Sequence, residues 1–258
     1  MNDATAVAQE ILDRFYEKVS DHLASLRAGQ AAAVGRAAEL VAARVLADEL
    51  VYVYGPGGHS NLASQEVFFR AGGLVNVSAI LDEGTLLSSG ALRSMAMERT
   101  SGYASLVMED NGLNAGDLLI LVNAYGINTA LIEAALWARD HGVTTIGVSS
   151  RRHAAGTSPD HPARHPGKHN LHDVVDVHVD TEVPIGDAML DIPGVGERIA
   201  AVSTFANAYA MNCIMATAVT LVAQQGVEPT IWRSGNAPGG DDHMATFLAR
   251  YRRRVRWL

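Results

Sequence analysis

A glycine-rich turn at residues 55–58 joins a β-branched and aromatic run at 51–54 to a helix-compatible run at 61–70. Ser60 or Asn61 is placed to cap that helix. A turn of this kind exposes backbone N–H groups at the positive end of a helix dipole. An anionic or polyhydroxylated ligand is favoured there, so the stretch is a candidate binding site.

The side chains around this turn offer two readings. Gly57 and Gly58 would let a ligand approach the backbone closely, because glycine has no Cβ atom. His59 lies at the rim of the turn. Glu66 and Arg70 follow at i and i+4 and therefore share one helix face. They are either part of the ligand site or a surface ion pair.

Two further apolar runs, at 118–122 and 143–148, also end in polar residues. The polar residues that follow these runs are Asn123, Tyr125, Asn128, Thr129, Ser149 and Ser150. Ligands of parallel sheets bind at the carboxyl ends of the strands. We therefore expect these turns and the glycine-rich turn to converge on one crevice.

Strand-like and helix-like runs alternate along the chain, which predicts a five-stranded parallel sheet with helices on both faces. The predicted strands are 51–54, 74–80, 118–122, 143–148 and 174–179, and the predicted helices are 3–27, 29–49, 61–72, 103–111, 130–141, 197–225 and 241–255. Residues 82–99 are ambiguous, and 151–173 and 184–196 are predicted loops.

The composition limits the class of protein. The chain has 258 residues, 48% hydrophobic and 19% charged, which suits a packed α/β domain and not a disordered chain. The net charge of −8 makes nucleic acid an unfavourable partner. Lone Cys213 is expected to be a small buried residue. The N-terminus lacks a signal-peptide pattern, and the run 199–223 is interpreted as a core helix. These features predict a cytoplasmic protein that does not span a membrane.

The first two helices form a separate feature of the predicted organisation. Residues 1–49 are predicted to be a helical segment that packs on the domain or on a partner subunit, and residues 50–258 are predicted to form the main domain. This segment and the apolar helix at 197–225 indicate a homodimer or homotetramer.

The turns together resemble those of the sugar isomerase (SIS) domain family, in particular its members related to phosphoheptose isomerase. The matching stretches lie at 55–73, 90–104, 116–128, 142–150, 163–188 and 236–243. The resemblance implies a flavodoxin-like three-layer αβα sandwich. It also implies a phosphorylated sugar bound on the loops after the first, third and fourth strands.

The resemblance assigns roles to individual residues. Ser60 corresponds to the hydroxyl that contacts the sugar or its phosphate, and Glu66 to a catalytic base. Asn123 and Tyr125 stand where the family has two serines of its phosphate-binding loop. The helix at 197–225 lacks the family's paired Gln and His, so their metal and acid roles do not transfer.

The implied reaction is an aldose–ketose isomerisation through an ene-diolate, without a cofactor or metal. It needs a base with a pKa near neutral pH and donors for the developing oxyanion. Glu66 beside Phe68 and Phe69 is the candidate base. His59 or His165 is the candidate for ring opening or proton transfer. The backbone N–H groups at 57–60 are candidates for holding the oxyanion or the phosphate.

Other readings stay open. A non-catalytic module that senses phosphosugars and an amino-sugar lyase or etherase are alternatives within the wider family. A dinucleotide enzyme that uses Asp82 is less favoured, because Gly-Pro-Gly-Gly-His-Ser is not the G-x-G-x-x-G pattern. Four histidines are spaced by four, four and three: His161, His165, His169 and His172. Pro162 and Pro166 break any helix that would align them, which favours a solvated loop over a metal site.

Overall fold

The computed structural model describes residues 3–258 as a five-stranded parallel sheet with helices on both faces. The strands of this sheet are β1 (Val51–Tyr54), β2 (Val77–Ile80), β3 (Leu118–Val122), β4 (Thr144–Ser149) and β5 (Val177–Asp180). Their spatial order is β2-β1-β3-β4-β5. The predicted fold class is confirmed.

Ten helices flank the sheet within the described residues. They are α1 (Ala4–Gly29), α2 (Ala31–Leu46), α3 (Ser60–Val67), α4 (Ala91–Glu98), α5 (Tyr103–Asp110), α6 (Thr129–Asp140), α7 (Arg151–Gly156), α8 (Leu171–Val174), α9 (Ser203–Gln224) and α10 (Gly240–Tyr251). A short antiparallel pair, β6 (Ala188–Leu190) and β7 (Ile199–Ala201), lies outside the main sheet.

The strands are apolar on both faces because both faces are covered. Every residue of the central strand β3 is buried, and alternate side chains enter two separate cores. Leu118 and Ile120 face the core built with α2, α3 and α9. Leu119 and Leu121 face the core built with α5, α6 and α8. All five strands run in the same direction, so their carboxyl ends and the turns that follow them meet at one edge.

The structure shortens the predicted helix 61–72 and the predicted strands 74–80 and 174–179, and it places elements of another type in three further segments. The predicted helix 197–225 begins only at Ser203, because residues 199–201 pair with 188–190 as β7. The predicted loop 184–196 therefore contains β6, and the predicted loop 151–173 contains α7 and the start of α8. Elements of three to six residues are too short for the periodicity that identifies longer helices and strands.

The helix α9 is long and apolar enough to cross a membrane by length and composition alone. In this structure it packs along α2 and α3, and Ala210, Ile214 and Ala218 enter the core beneath the sheet. The core helix of a soluble protein passes the same test, so the composition of α9 is explained by its place in the core.

The two N-terminal helices differ in their packing. The helix α2 supplies Ala37, Ala38 and Val41 to the core shared with the sheet. The helix α1 has one buried residue, Leu26, near its C-terminal end. The small residues of α2 let it approach α9 closely, whereas most residues of α1 are exposed.

Candidate functional site

The glycine-rich turn between β1 and α3 forms one wall of a cavity at the carboxyl edge of the sheet. Gly57 has φ +98°, a left-handed value that favours glycine. A Cβ atom there would also lie 2.8 Å from the Glu98 carboxyl group. The N–H groups of Gly58 and His59 donate no hydrogen bond to another residue in the range 3–258, and both residues line the cavity.

Glu98, the last residue of α4, places its carboxyl group against this turn. Its Oε1 accepts a hydrogen bond from Asn123 Nδ2 at 3.4 Å. Burial raises the pKa of Glu98 to about 7, although the Asn123 hydrogen bond and the charge of Arg99 both act to lower it. Glu98 can therefore take up or release a proton near neutral pH.

Asn123 is the first residue after β3, and it connects two of the turns. Its Oδ1 accepts from the backbone N–H groups of Tyr125 at 2.9 Å and Gly126 at 3.0 Å. Its Nδ2 donates to Ser60 Oγ at 3.0 Å and to the Pro56 carbonyl at 3.4 Å. The carboxamide thus closes the turn after β3 and fixes it to the turn after β1.

Tyr125 and His153 form an aromatic wall of the cavity. Their rings stack with centroids 3.8 Å apart and an angle of 24° between planes. Burial lowers the pKa of His153, so its ring is neutral at pH 7. Burial, with the carboxylates of Asp187 and Glu98, raises the pKa of Tyr125. The Tyr125 hydroxyl therefore keeps its proton and remains a hydrogen-bond donor.

Asp187 also lines the cavity, near Tyr125 and His153, and lies in the segment that leads to α9. Its Oδ1 accepts from the N–H groups of Val202 at 3.0 Å and Ser203 at 2.7 Å. Its Oδ2 accepts from Ser203 Oγ at 2.6 Å. The carboxylate caps the positive end of the α9 dipole, where an acidic group is favourable.

These walls enclose a cavity of about 680 Å³, within the range of about 300–1,000 Å³ typical of small-molecule sites. Arg99, exposed at the rim, is the one arginine or lysine among the described residues that line it. The cavity therefore combines one cation, one carboxyl group that can titrate near pH 7, and free backbone donors.

The structure brings together about half of the residues predicted from the sequence. Those that line the cavity are Gly57, Gly58, His59, Ser60, Asn123, Tyr125 and Asn128. Asn128 is only 5% exposed, and its Oδ1 is buried without a hydrogen-bond partner among the described residues. A buried amide without a partner within the chain is a group that a ligand can satisfy.

Ser149 and Ser150 lie behind the cavity wall. Ser149 Oγ is 3.0 Å from His178 Nε2. Ser150 Oγ accepts from the His153 N–H at 3.0 Å and donates to the Val183 carbonyl at 2.7 Å. Ser150 therefore caps α7 and positions His153 without lining the cavity.

The remaining predicted residues also lie away from the cavity lining. Asn61 and Thr129 are buried in the first turns of α3 and α6. Glu66 forms an ion pair with Arg70 at 3.3 Å and accepts from Asn212 Nδ2, also at 3.3 Å. Both charged residues instead line two smaller cavities between α3 and α9.

The four spaced histidines do not gather at one point. His161 lines the cavity. His165 lies outside it, with its ring centroid 5.6 Å from that of His169. His172 is near His178 instead. Within residues 3–258, no group of three His, Cys, Asp or Glu side chains has the geometry of a metal site.

Several cavity residues were missed by the reasoning from sequence. They are Glu98, Arg99, His153, Thr157, Ser158, Asp187 and Ser203. Glu98 lies in the stretch 82–99, whose secondary structure was ambiguous. Glu98 also lies in the stretch 90–104 that resembles the SIS family, but the resemblance assigned no role to this residue.

The chain is similar in sequence to a known domain family and to several known proteins. The family model described as SIS domain matches residues 14–150. The UPF0309 protein of Geobacillus kaustophilus is 31% identical over 245 residues, which cover 95% of this chain and 96% of that protein. The UPF0309 protein of Brucella anthropi is 36% identical over 245 residues, which cover 95% and 98%.

Two solved structures share the fold. The phosphoheptose isomerase of Neisseria gonorrhoeae has a TM-score of 0.56 and 15% identity, and the match covers 83% of this chain and 99% of that one. The phosphoheptose isomerase of Francisella tularensis has a TM-score of 0.54 and 12% identity, with coverage of 82% and 97%. At these identities the likeness is one of fold.

Proposed function

The chain belongs to the SIS domain family, and from that premise we propose that its cavity binds a sugar phosphate or another anionic sugar. The predicted family resemblance is confirmed by the match of the SIS domain model to residues 14–150. We further propose that the protein is an aldose–ketose isomerase. The observation that carries this proposal is the position of the Glu98 carboxyl group, which lies against the Gly57 turn and Asn123 in the cavity and whose pKa burial raises to about 7.

The proposed reaction moves a proton between C1 and C2 of the open-chain sugar. Glu98 removes the proton from C2 of the aldose, and an ene-diolate forms. The proton of the C2 hydroxyl moves to the C1 oxygen, and Glu98 then returns its proton to C1, so that C2 becomes the carbonyl carbon of the ketose. A base with a pKa near the working pH is effective in both directions, because its two protonation states are similarly populated.

The ene-diolate also needs donors at its developing negative charge. The free N–H groups of Gly58 and His59 lie before α3, where the helix dipole favours an anion. The Tyr125 hydroxyl keeps its proton and lines the same cavity. We assign these groups to the oxygen atoms of the reacting carbons.

The anionic end of the sugar is assigned to the rim of the cavity. Arg99 is exposed there, and His59 lies on the same cavity lining. A guanidinium group offers several donors in a geometry that suits phosphate. This placement separates the anion of the substrate from the buried wall of the cavity.

Glu66, the base implied by the family resemblance, is the competing candidate. Within the single chain its carboxylate contacts Arg70 and Asn212 and does not line the cavity. Glu98 lies against the glycine-rich turn and is hydrogen-bonded to Asn123. The position of Glu98 therefore favours it as the base.

The test is turnover of a panel of aldose and ketose phosphates by wild type, Glu98→Gln and Glu66→Gln. We expect Glu98→Gln to lower kcat by about 10²–10⁴-fold, because a general base contributes that much. Glu66→Gln is the matched control and should keep kcat within about threefold. The reverse pattern would assign the base to Glu66. Saturable binding without turnover of any sugar would instead identify a sensing module.

A further inference from the structure

The turn after β3 has backbone N–H groups that usually suit an anion, but its own side chain occupies them. Consecutive N–H groups after a parallel strand form a concave donor site. Here the N–H groups of Tyr125 and Gly126 both donate to Asn123 Oδ1, at 2.9 and 3.0 Å. The Asn123 oxygen therefore takes the position that a phosphate oxygen would need.

The charges around this turn also disfavour an anion. Glu98 Oε1 lies 3.4 Å from Asn123 Nδ2, on the same side of the cavity. The carboxylates of Asp187 and Glu98 both act on the Tyr125 hydroxyl. Arg99, the one arginine or lysine that lines the cavity in the described part of the chain, is exposed at the rim. These carboxylates would repel a ligand anion bound at the turn, and among the described residues that line the cavity no cation lies beside the turn to offset the repulsion.

The same turn carries a polar group that lacks a partner. Asn128 is the N-cap residue of α6, and its side-chain Oδ1 is buried without a hydrogen-bond partner among the described residues. A buried carboxamide is costly to leave without a partner. Its natural partners are hydroxyl and amide groups, because it can both donate and accept.

We propose that Asn123 and Asn128 make the turn after β3 a subsite for an uncharged hydroxyl or amide group of the substrate, and not for its anionic group. This inference rests on the proposed sugar ligand and fixes its direction in the cavity. The anionic end lies toward Arg99 and His59, and a hydroxyl or an acylamino group meets the Asn128 carboxamide. Asn123 is a specificity-determining residue because its carboxamide excludes the anion.

The first test is a titration of ¹⁵N-labelled protein with inorganic phosphate at pH 6, where Glu98 carries little charge. In wild type we expect the amide resonances of Tyr125 and Gly126 to stay in place. In Asn123→Ser the two N–H groups are freed, so the same resonances should shift and phosphate should bind at least about tenfold more tightly. Saturable shifts in wild type, or no tighter binding by the variant, would overturn the proposal.

The second test uses Asn128→Ala, which remains informative if Asn123→Ser fails to fold. Because Asn128 Oδ1 has no hydrogen-bond partner among residues 3–258, we expect a Tm no lower than that of wild type. The KM for the best sugar phosphate of the panel should rise roughly three- to tenfold. A lowered Tm with unchanged KM would show a structural role and contradict the proposal.

The two proposals fail in different ways. Absence of turnover by wild type would count against the isomerase and would leave the phosphate titration unaffected. Phosphate bound at Tyr125 and Gly126 of wild type would count against the neutral subsite and leave the turnover experiment unaffected.

Discussion

Glu98 is the single residue on which the proposed chemistry depends most. Its carboxyl group is held between the Gly57 turn and the Asn123 carboxamide, and burial raises its pKa to about 7. An ordinary glutamate near pKa 4.5 would be a weaker base for a sugar C–H. The same burial that makes Glu98 reactive must also cost stability when the group is charged.

We therefore expect Glu98→Gln to be stabilising at high pH. The folded pKa of Glu98 lies above its unfolded value of 4.5. Below pH 4.5 the carboxyl group is protonated in both the folded and the unfolded state, so its burial costs no stability. Wild type loses stability as the pH rises from 4.5 through about 7. At pH 8 the free energy of unfolding of the variant should exceed that of wild type by on the order of 1–3 kcal/mol, and at pH 4.5 the two should be almost equal. Urea unfolding at both pH values measures the difference, and an equal effect at the two would contradict the assigned pKa.

Residues at strand ends were predictable from sequence, whereas Glu98 was not. Asn123 follows β3 directly, and Ser60 and Asn128 lie in or at the end of the turns after β1 and β3, which parallel strands bring to one edge. Glu98 ends a helix within a long connection, so its direction depends on how α4 packs. Ser150 follows a strand as predicted but points back into the fold, where it caps α7.

At the scale of elements, the connection from β5 to α9 forms one side of the cavity. The hairpin β6–β7 ends one residue before α9, and Asp187 precedes it and caps that helix. Asp187 has φ +65°, a left-handed value that aspartate and asparagine tolerate better than most residues. The sequence predicts a loop over β6 and the start of a helix over β7, because strands of three residues carry too little periodicity.

Substitution of Asp187 separates its capping role from its backbone conformation. Asp187→Gly keeps the left-handed conformation but removes three accepted hydrogen bonds, so we expect a loss of about 1–2 kcal/mol in the free energy of unfolding. Asp187→Asn keeps an acceptor and the conformation and should lose less than half of that. Chemical denaturation compares the two variants, and equal losses would argue against the cap.

At the scale of the whole molecule, the exposed apolar side chains of α1 are not accounted for by packing within one chain. It is 26 residues long, yet only Leu26 is buried, and Leu12 and Tyr16 are 64% and 74% exposed. An isolated helix gains little stability from its own hydrogen bonds and relies on packing of its apolar face. We propose that this face of α1 packs on a second copy of the chain, as the predicted homodimer or homotetramer requires.

The mass in solution tests this assembly. Wild type should sediment as a dimer or tetramer, and the double variant Leu12→Glu/Tyr16→Glu should sediment at a lower mass, because charged side chains are costly in an apolar interface. Glu10→Gln and Asp13→Asn, on exposed positions of the same helix, form the control and should keep the wild-type mass. A wild type that sediments as a monomer would refute the assembly.

The most direct test of the proposed chemistry is solvent deuterium exchange, followed by NMR with the best sugar phosphate of the panel in D₂O. If Glu98 transfers a proton through an ene-diolate, wild type and Glu66→Gln should incorporate deuterium at C1 or C2. Glu98→Gln should lose this exchange by about 10²-fold or more. Turnover without any deuterium incorporation, or undiminished exchange in Glu98→Gln, would contradict the account.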